Sequence, residues 1–324
     1  MRRIFPLLLI LLLLCGCGGN RDAAAPEDAD RLVIFTARSA AVYDDAVREF
    51  ERRTGIWVEV HTADGALPLL EQIAAGQRCD LLLGVTPDCL SAFGELFAPY
   101  APEAAADIPG AYRDSEDRWT PFSLLPVVLI YNDQLVQRNV PDSWSSLTSS
   151  AWRGRIACPD PTVSATGCTA LEAMTQALDG EAEQVLADFV RCVGDVLPTA
   201  EDVVTAVADG RCYVGVTTED LAMQAAASGL SVTVIYPREG AVVQPDCAAI
   251  IADCAHEGNA RAFIDFLLSG EVQERLTRQY RRTVFTPPGD ASLPHALAYD
   301  PYAAGAHQAE TLGIWSSLTA EETP

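Results

Sequence analysis

The sequence contains no lysine, and all 22 of its basic residues are arginines. P-loop nucleotide binding and Schiff-base catalysis both depend on a lysine amine, so both kinds of chemistry are excluded. Apart from protonated histidine, every cationic side-chain contact that the chain can make is instead a guanidinium. This planar fork of N–H donors suits carboxylates and phosphates.

Short catalytic and metal-binding motifs are missing as well. GxSxG, HExxH, GxGxxG and CxxC do not occur, and the four histidines are scattered along the chain. Two of them, in "HALAYDPYAAGAH", have no acidic or cysteine ligand at a fixed helical spacing, so we expect that segment at the surface. We predict no enzymatic activity, no cofactor and no metal site.

Basic residues are outnumbered by 45 acidic ones, which gives a net charge of −23. Such a surface repels nucleic acid and anionic lipid, so we predict no nucleic-acid partner.

The first 20 residues, "MRRIFPLLLILLLLCGCGGN", combine two arginines with an apolar run too short to span a bilayer, which takes about 20 residues. This is the layout of a secretory signal peptide. "LLCGC" also resembles the bacterial lipobox, which implies a signal peptide at 1–16, a lipid on Cys17 and a tether at 17–30. The alternative is a cleaved leader without a lipid. We expect an exported protein, anchored through Cys17 on the periplasmic or cell-surface face of a membrane.

Eight cysteines follow the leader, and an even number in an exported chain suggests disulfides. Eight cysteines allow 105 connectivities. Our hypothesis pairs sequence neighbours, namely Cys79–Cys89, Cys158–Cys168, Cys192–Cys212 and Cys247–Cys254.

Short apolar runs alternate with helical patterns almost throughout the chain after the tether. "RLVIFT", "WVEVHT" and "DLLLGV" are typical strands, and "AAVYDDAVREFERRTG" is a typical amphipathic helix that ends at Gly55. This alternation predicts an α/β fold with largely parallel sheets, and the length suits two lobes.

Hydroxyl-bearing residues follow four of the predicted strands, immediately before helices. They are Thr36 and Ser39 with Arg38 between them, Thr86, Ser164 with Thr166, and Thr217 with Thr218. Ordinary helix capping explains each segment alone. Ligands of open α/β sheets bind at the carboxyl ends of strands, where helix N-termini attract anions. Four such segments, two in each half of the chain, therefore favour a ligand site between lobes.

The chain resembles the family 1 extracellular solute-binding proteins of bacterial ABC importers, in the branch that binds ferric iron, aminoethylphosphonate or sugar phosphates. The resemblance spans about residues 32–285. The segments that carry it are "VIFTARSAAVYDDAVREFERRTGIWVEV", "ALPLLEQIAAGQRCDLLLGV", "RWTPFSLLPVVLIYN", "VPDSWSSLTSSAWRGRIACPDPTVSATG", "VTVIYPREGAVVQPDCAAII" and "ARAFIDFLLSGEVQERL".

The resemblance implies a type 2 periplasmic-binding fold, in which two lobes close over a ligand. Lobe 1 would comprise 31–118 and 237–285, lobe 2 would comprise 119–236, and a tail at 286–324 would cross back onto the lobes. The cleft would contain the four hydroxyl segments, with Ser123, Glu219 and Asp220 as further candidates. The resemblance also implies a separate permease and ATPase as partners, and we expect a monomer.

The chain departs from the iron-binding members of this family. Those members use adjacent tyrosines after the strand that corresponds to "CYVGVTT", whereas no tyrosine occurs here between Tyr213 and Tyr236. Arg38 and the hydroxyls instead favour a small anion such as a phosphonate, a phosphate ester or a carboxylate. A ferric or iron-complex binding protein and a sensory ligand-binding module remain the alternatives.

Overall fold

The computed structural model of the chain describes residues 28–63 and 65–321. The predicted signal peptide, Cys17 and the tether up to residue 27 lie outside these residues. Within the described part, no helix is long and apolar enough to cross a membrane. A single 3-10 turn, Asp28–Asp30, leads into the first strand.

The first part of the fold is a parallel sheet of three strands, in the order β2-β1-β3. They are β1 (Arg31–Thr36), β2 (Trp57–Thr62) and β3 (Leu81–Val85). All five residues of β3 are buried, because helices cover both faces of its sheet. The connecting helices are α1 (Ala40–Thr54), α2 (Ala66–Ala74) and the short α3 (Pro87–Ser91), and β4 (Phe97–Ala98) follows.

Two long strands connect this sheet to the rest of the molecule. The first half of β5 (Thr120–Tyr131) pairs with β10 (Val243–Ile251) and with β11 (Arg282–Thr283). Its second half, 127–131, pairs with β8 (Val214–Thr218) and β9 (Thr233–Ile235). The two halves therefore form one continuous sheet of eleven strands.

The second part of the fold continues that sheet from β8 to β6 (Ile156–Pro159) and β7 (Val193–Leu197), which are parallel to one another. Its helices are α4 (Ala165–Ala177), α5 (Ala182–Val190), α6 (Ala200–Ala208) and α7 (Glu219–Ala227). Separate apolar cores lie on the two faces, one around Trp144 and Phe189 and one around Val203 and Val207. We call the part around β1–β4 lobe 1 and the part around β6–β9 lobe 2.

The last three helices follow β10. Two of them, α8 (Glu257–Leu267) and α9 (Gly270–Arg278), cover lobe 1. The third, α10 (Pro301–Glu321), packs against α3 of lobe 1 and against α4 and α5 of lobe 2. The tail therefore contacts both lobes.

The α/β fold with helices on the sheet faces is confirmed, but the sheet is less parallel than predicted. Four strand pairings are parallel and six are antiparallel. All six antiparallel pairings involve β5 or β10. These two strands pass between the lobes in opposite directions, so neither can run parallel to all of its neighbours.

The predicted disulfides are wrong: all eight described cysteines are free. Cys79 and Cys89 lie at opposite ends of β3, whose five residues span roughly 16 Å, whereas a disulfide needs Cα atoms within about 7 Å. Cys247 lies within β10 and Cys254 follows its end, so these two are also separated along a strand.

The other two predicted pairs fail for related reasons. Cys192 and Cys212 precede β7 and β8, which flank β6 on either side and are therefore about 10 Å apart. Cys158 directs its thiol at the carbonyl of Pro159, while Cys168 faces Gln308 of α10. Proximity in the sequence is a poor guide here, because strands separate residues that are close along the chain.

Candidate ligand cleft

A cleft of about 490 Å³ lies between the lobes, on the side where the strands end. Lobe 1 lines it with the segment after β1, the segment after β2 and Gly84 of β3. Lobe 2 lines it with the segments that precede α4, α6 and α7. This is the position at which open α/β sheets bind ligands.

Five helices begin at this cleft. Their N-caps are Ser39 for α1, Gly65 for α2, Ser164 for α4, Thr199 for α6 and Thr218 for α7. Each helix start carries about half a positive charge and N–H groups without an intrahelical acceptor. Ser164 and Thr199 accept hydrogen bonds from their own helices, whereas the caps of α1, α2 and α7 supply no such side-chain acceptor. At the starts of α1, α2 and α7, therefore, no capping side chain competes with a ligand for the backbone N–H groups, although α7 has Glu219 and Asp220 in its first turn.

A buried ionic network forms the floor of the cleft. Arg38 Nη2 donates to one oxygen of Asp246 at 2.9 Å, and Arg281 Nη1 donates to the other at 2.6 Å. Arg281 also pairs with Asp220 at 3.2 Å. Two arginines and two aspartates make the network neutral overall, so it adds little net charge to the cleft.

Mutual ion pairing keeps this network charged in spite of its burial. Burial alone raises the pKa of Asp246, but Arg38 and Arg281 together hold it below its usual value. Burial likewise lowers the pKa of Arg281, and Asp220 and Asp246 more than restore it, so that it lies above the ordinary value. The carboxylate of Asp246 is therefore ionised at neutral pH and fixes both guanidinium groups in place.

Arg38 retains hydrogen-bonding capacity that the network does not use. Its side chain lies directly on Gly84, where a Cβ atom would be 2.4 Å from Arg38 Cγ. Gly84 has φ +80°, a conformation that glycine adopts readily, and its missing side chain makes room for the stem of Arg38. Arg38 Nε is buried without a hydrogen-bond partner among the described residues. A ligand oxygen at this point would satisfy a donor that is otherwise costly to bury.

The lobes touch each other at the rim of the cleft. A Cβ atom on Gly65 would lie 2.3 Å from the carbonyl oxygen of Val163, which belongs to the opposite lobe. The φ of Gly65 is +132°, which is unfavourable for any residue with a side chain. Gly65 thus permits a close backbone contact between lobe 1 and lobe 2, as expected of a closed cleft.

Six of the predicted site residues line the cleft together: Arg38, Ser39, Ser164, Thr166, Thr218 and Asp220. The other five do not line it. Thr36 accepts from the backbone N–H of Arg38, Thr86 is buried beside Cys89, Ser123 accepts from Arg281, and Thr217 donates to the carbonyl of Ala200. Glu219 points the other way and binds Arg282 through both oxygens, at 2.6 Å each.

The sequence prediction missed several residues that line the cleft. Thr199 and Glu201 begin α6, and a threonine followed three residues later by Asp202 is a recognisable N-terminal signature. Arg281 carried no such signal, because its partners are 35 and 61 positions away along the chain. Tyr43 and Thr62 complete the lobe 1 wall.

Metal ligands are not grouped in this cleft. Within residues 28–63 and 65–321, no three histidine, cysteine, aspartate or glutamate side chains are arranged to hold a metal ion. The pKa of Tyr43, the phenol in the cleft wall, is raised by burial and then by Asp44, which disfavours its phenolate.

Comparisons with known proteins agree with this fold. The sequence model of a family described as bacterial extracellular solute-binding protein matches residues 93–302. A probable ABC transporter periplasmic-binding protein of Sinorhizobium fredii, y4fP, is 25% identical over 291 residues, which cover 86% of this chain and 79% of that protein.

Two solved structures show the same fold. The periplasmic binding protein AfuA from Actinobacillus pleuropneumoniae, with exogenous fructose 6-phosphate bound, has a TM-score of 0.81 at 19% identity and covers 89% of this chain and 98% of its own. The apo ferric ion-binding protein A of Pasteurella haemolytica has a TM-score of 0.77 at 15% identity. The match covers 91% of this chain and 99% of that protein. At these identities the likeness concerns the fold alone.

Proposed function

Because this chain belongs to the bacterial extracellular solute-binding proteins and is the substrate-binding component of an ABC importer, we propose that its ligand is a small anion. A phosphonate, a phosphate ester or a carboxylate would fit the cleft chemistry. The proposal includes a separate permease and ATPase as partners and no catalytic step.

One observation carries this proposal: five helix N-termini and the unpartnered Nε of Arg38 meet at one cleft. Each helix start contributes about 0.3–1 kcal/mol toward an anion, and a charge-assisted hydrogen bond contributes about 1.5–3 kcal/mol. The net charge of −23 does not oppose this over long range, because physiological salt screens exposed charges beyond about 8 Å.

The size of the cleft favours a metabolite over a bare ion. Its volume of about 490 Å³ lies within the range of roughly 300–1,000 Å³ that small-molecule sites occupy. A single metal ion would leave most of that space to water. A sugar phosphate or a comparable organic anion would fill more of it and contact both lobes.

Capture proceeds by lobe closure. Lobe 1 contributes Arg38 and the starts of α1 and α2, while lobe 2 contributes the starts of α4, α6 and α7. An anion that contacts both sets binds the closed form better than the open form and therefore shifts the population toward closure. The close backbone contact between Gly65 and Val163 limits how far the lobes close.

A panel of ligands tests the proposal. The purified mature protein is analysed by native mass spectrometry and then melted with inorganic phosphate, fructose 6-phosphate, 2-aminoethylphosphonate or citrate, with glucose as the neutral control. An anion at 100 times its Kd should add about 2.7 kcal/mol to the free energy of unfolding. Stabilisation by glucose with no response to any anion would contradict the proposal.

A ferric or iron-complex ligand is the second candidate, favoured by the carboxylates of Glu201 and Asp220 and the phenol of Tyr43 in the same cleft. Against it, Asp220 is already paired with Arg281, and the adjacent tyrosines of iron-binding members are missing from the sequence. Titration with ferric citrate separates the two candidates. A visible phenolate-to-iron absorption band would establish iron binding and refute the anion assignment.

Membrane attachment through Cys17 belongs to the same proposal, and its support is the "LLCGC" motif. A Cys17→Ala variant should move from the membrane fraction to the soluble exported fraction. An unchanged distribution would show that the protein has no lipid on this residue.

A further inference from the structure

Two buried cysteines of different lobes lie next to one another behind the cleft. Cys89 is in α3 of lobe 1, and Cys168 is in α4 of lobe 2. The side-chain amide of Gln308 in α10 reaches both thiols, with Nε2 at 3.9 Å from the sulfur of Cys89 and 3.3 Å from that of Cys168. Because both distances are measured from the same nitrogen, 3.9 and 3.3 Å, the two sulfurs cannot be farther apart than the sum of these distances. Both cysteines also line one small cavity.

Neighbouring residues hold this arrangement in place. Asp88, beside Cys89, accepts from the hydroxyl of Thr169, beside Cys168, at 3.4 Å. Gln244 of the crossing strand β10 donates to both, at 3.0 Å each. A buried polar cluster thus holds the N-terminal part of α4 against α3, so the cysteines face each other whenever the lobes are together.

From this juxtaposition we propose that Cys89 and Cys168 are an oxidisable pair whose disulfide links the two lobes and opposes their separation. The bond would close the loop between residues 89 and 168, which contains β5 and β6, and it would make the α3–α4 contact permanent. Exported proteins meet oxidising conditions in which disulfides persist. The bond would form whichever ligand the cleft binds.

The chemistry balances with a low-molecular-weight disulfide as the oxidant. The thiolate of one cysteine attacks the oxidant, forming a mixed disulfide and releasing one thiolate. The second cysteine then attacks that mixed disulfide at its protein sulfur, forming the Cys89–Cys168 bond and releasing the second thiolate. Both protons of the cysteines end on the two released thiols, and the oxidant is reduced by two electrons.

Burial makes this reaction slow in the closed form. It raises the pKa of Cys168 to about 12, with a further contribution from Asp88, and it also raises that of Cys89. Oxidation should therefore proceed mainly when the lobes part and water reaches the thiols. Once the lobes close again, the bond would hold them together.

The test oxidises the whole mature protein with 2-hydroxyethyl disulfide and maps its linked peptides by mass spectrometry without reduction. We expect a peptide that joins Cys89 to Cys168. Amide hydrogen exchange is then compared between the oxidised and reduced protein at 65–67 and at 163–166, the segments that meet across the lobes. Exchange there should slow at least tenfold on oxidation and recover after reduction.

Serine variants supply the controls. Cys89→Ser and Cys168→Ser should each abolish the slowing, whereas Cys158→Ser, at a buried thiol in the core of lobe 2, should retain it. If a serine variant fails to fold, reversal of the effect in the parent protein by dithiothreitol serves in its place. Finding no 89–168 peptide after complete oxidation would overturn the proposal. So would a bond that forms without changing exchange at the interlobe segments.

Discussion

Replacing Gly65 by alanine should hinder lobe closure, and this effect can be measured separately from the loss of overall stability. The new methyl group would lie 2.3 Å from the carbonyl oxygen of Val163, much closer than any ordinary contact. Because that oxygen is part of the backbone of lobe 2, it cannot swing aside as a side chain would. The lobes would have to withdraw by about 1 Å to restore a normal van der Waals distance.

The cost to ligand binding follows from that displacement. Hydrogen bonds lengthen beyond their useful range of about 3.2 Å when one lobe withdraws by about 1 Å. Losing one charge-assisted hydrogen bond costs about 1.5–3 kcal/mol, which corresponds to an affinity loss of roughly 10- to 150-fold. The backbone at φ +132° adds a separate strain of about 1–3 kcal/mol, which acts in the open and the closed form alike.

Gly76→Ala is the matched control, because Gly76 also has a positive φ, +95°, but nothing lies within 4 Å of its Cβ position. Both variants should lose stability in urea melts, and only Gly65→Ala should lose affinity in calorimetry with the most stabilising anion of the panel. Parental affinity in Gly65→Ala, or an equal loss in Gly76→Ala, would refute the argument that Gly65 is needed for closure.

Two further predictions concern the buried charges. Arg38→Ala should weaken anion binding at least tenfold in calorimetry. It should also lower the Tm, because the buried carboxylate of Asp246 loses one of its two arginine partners. Unchanged affinity would place Arg38 outside the site. Burial raises the pKa of Asp114, but hydrogen bonds from Arg118 and Tyr302 hold this pKa at about 2 in the folded protein. The pKa of an aspartate in the unfolded chain is about 3.9. The stability that Asp114 contributes is therefore present above about pH 4 and is lost as the pH falls toward about 2. The unfolding free energy of Asp114→Asn should therefore depend less on pH over that interval, and a slope equal to that of the parent would refute the assignment.

Local patterns in the sequence predicted the elements that carry the site. Strands such as Arg31–Thr36 and the hydroxyls ahead of α4 and α7 could be recognised because periodicity and helix capping are short-range effects. The partners of Arg38 could not, since Asp246 lies 208 positions away and only the crossing strand β10 brings it near.

The cysteines likewise show that contacts between distant residues could not be predicted from the sequence. Pairing neighbours in the sequence failed, because β3 separates Cys79 from Cys89 while α3 and α4 bring Cys89 close to Cys168, 79 positions further along. Gly65 carries an equally hidden constraint, as nothing in "ADGAL" reveals that a carbonyl of the other lobe will press against it.

The helix starts that surround the cleft have a consequence for how binding specificity changes in evolution. Their N–H groups belong to the backbone, so they neither titrate with pH nor disappear when a side chain is exchanged. Under the proposed function, substitutions at lining positions such as Ser39, Thr166 or Glu201 would therefore alter which anion fits without removing the attraction for anions itself. The attraction for negative charge would then come from the placement of the helices, and the choice among anions would be left to a few replaceable side chains.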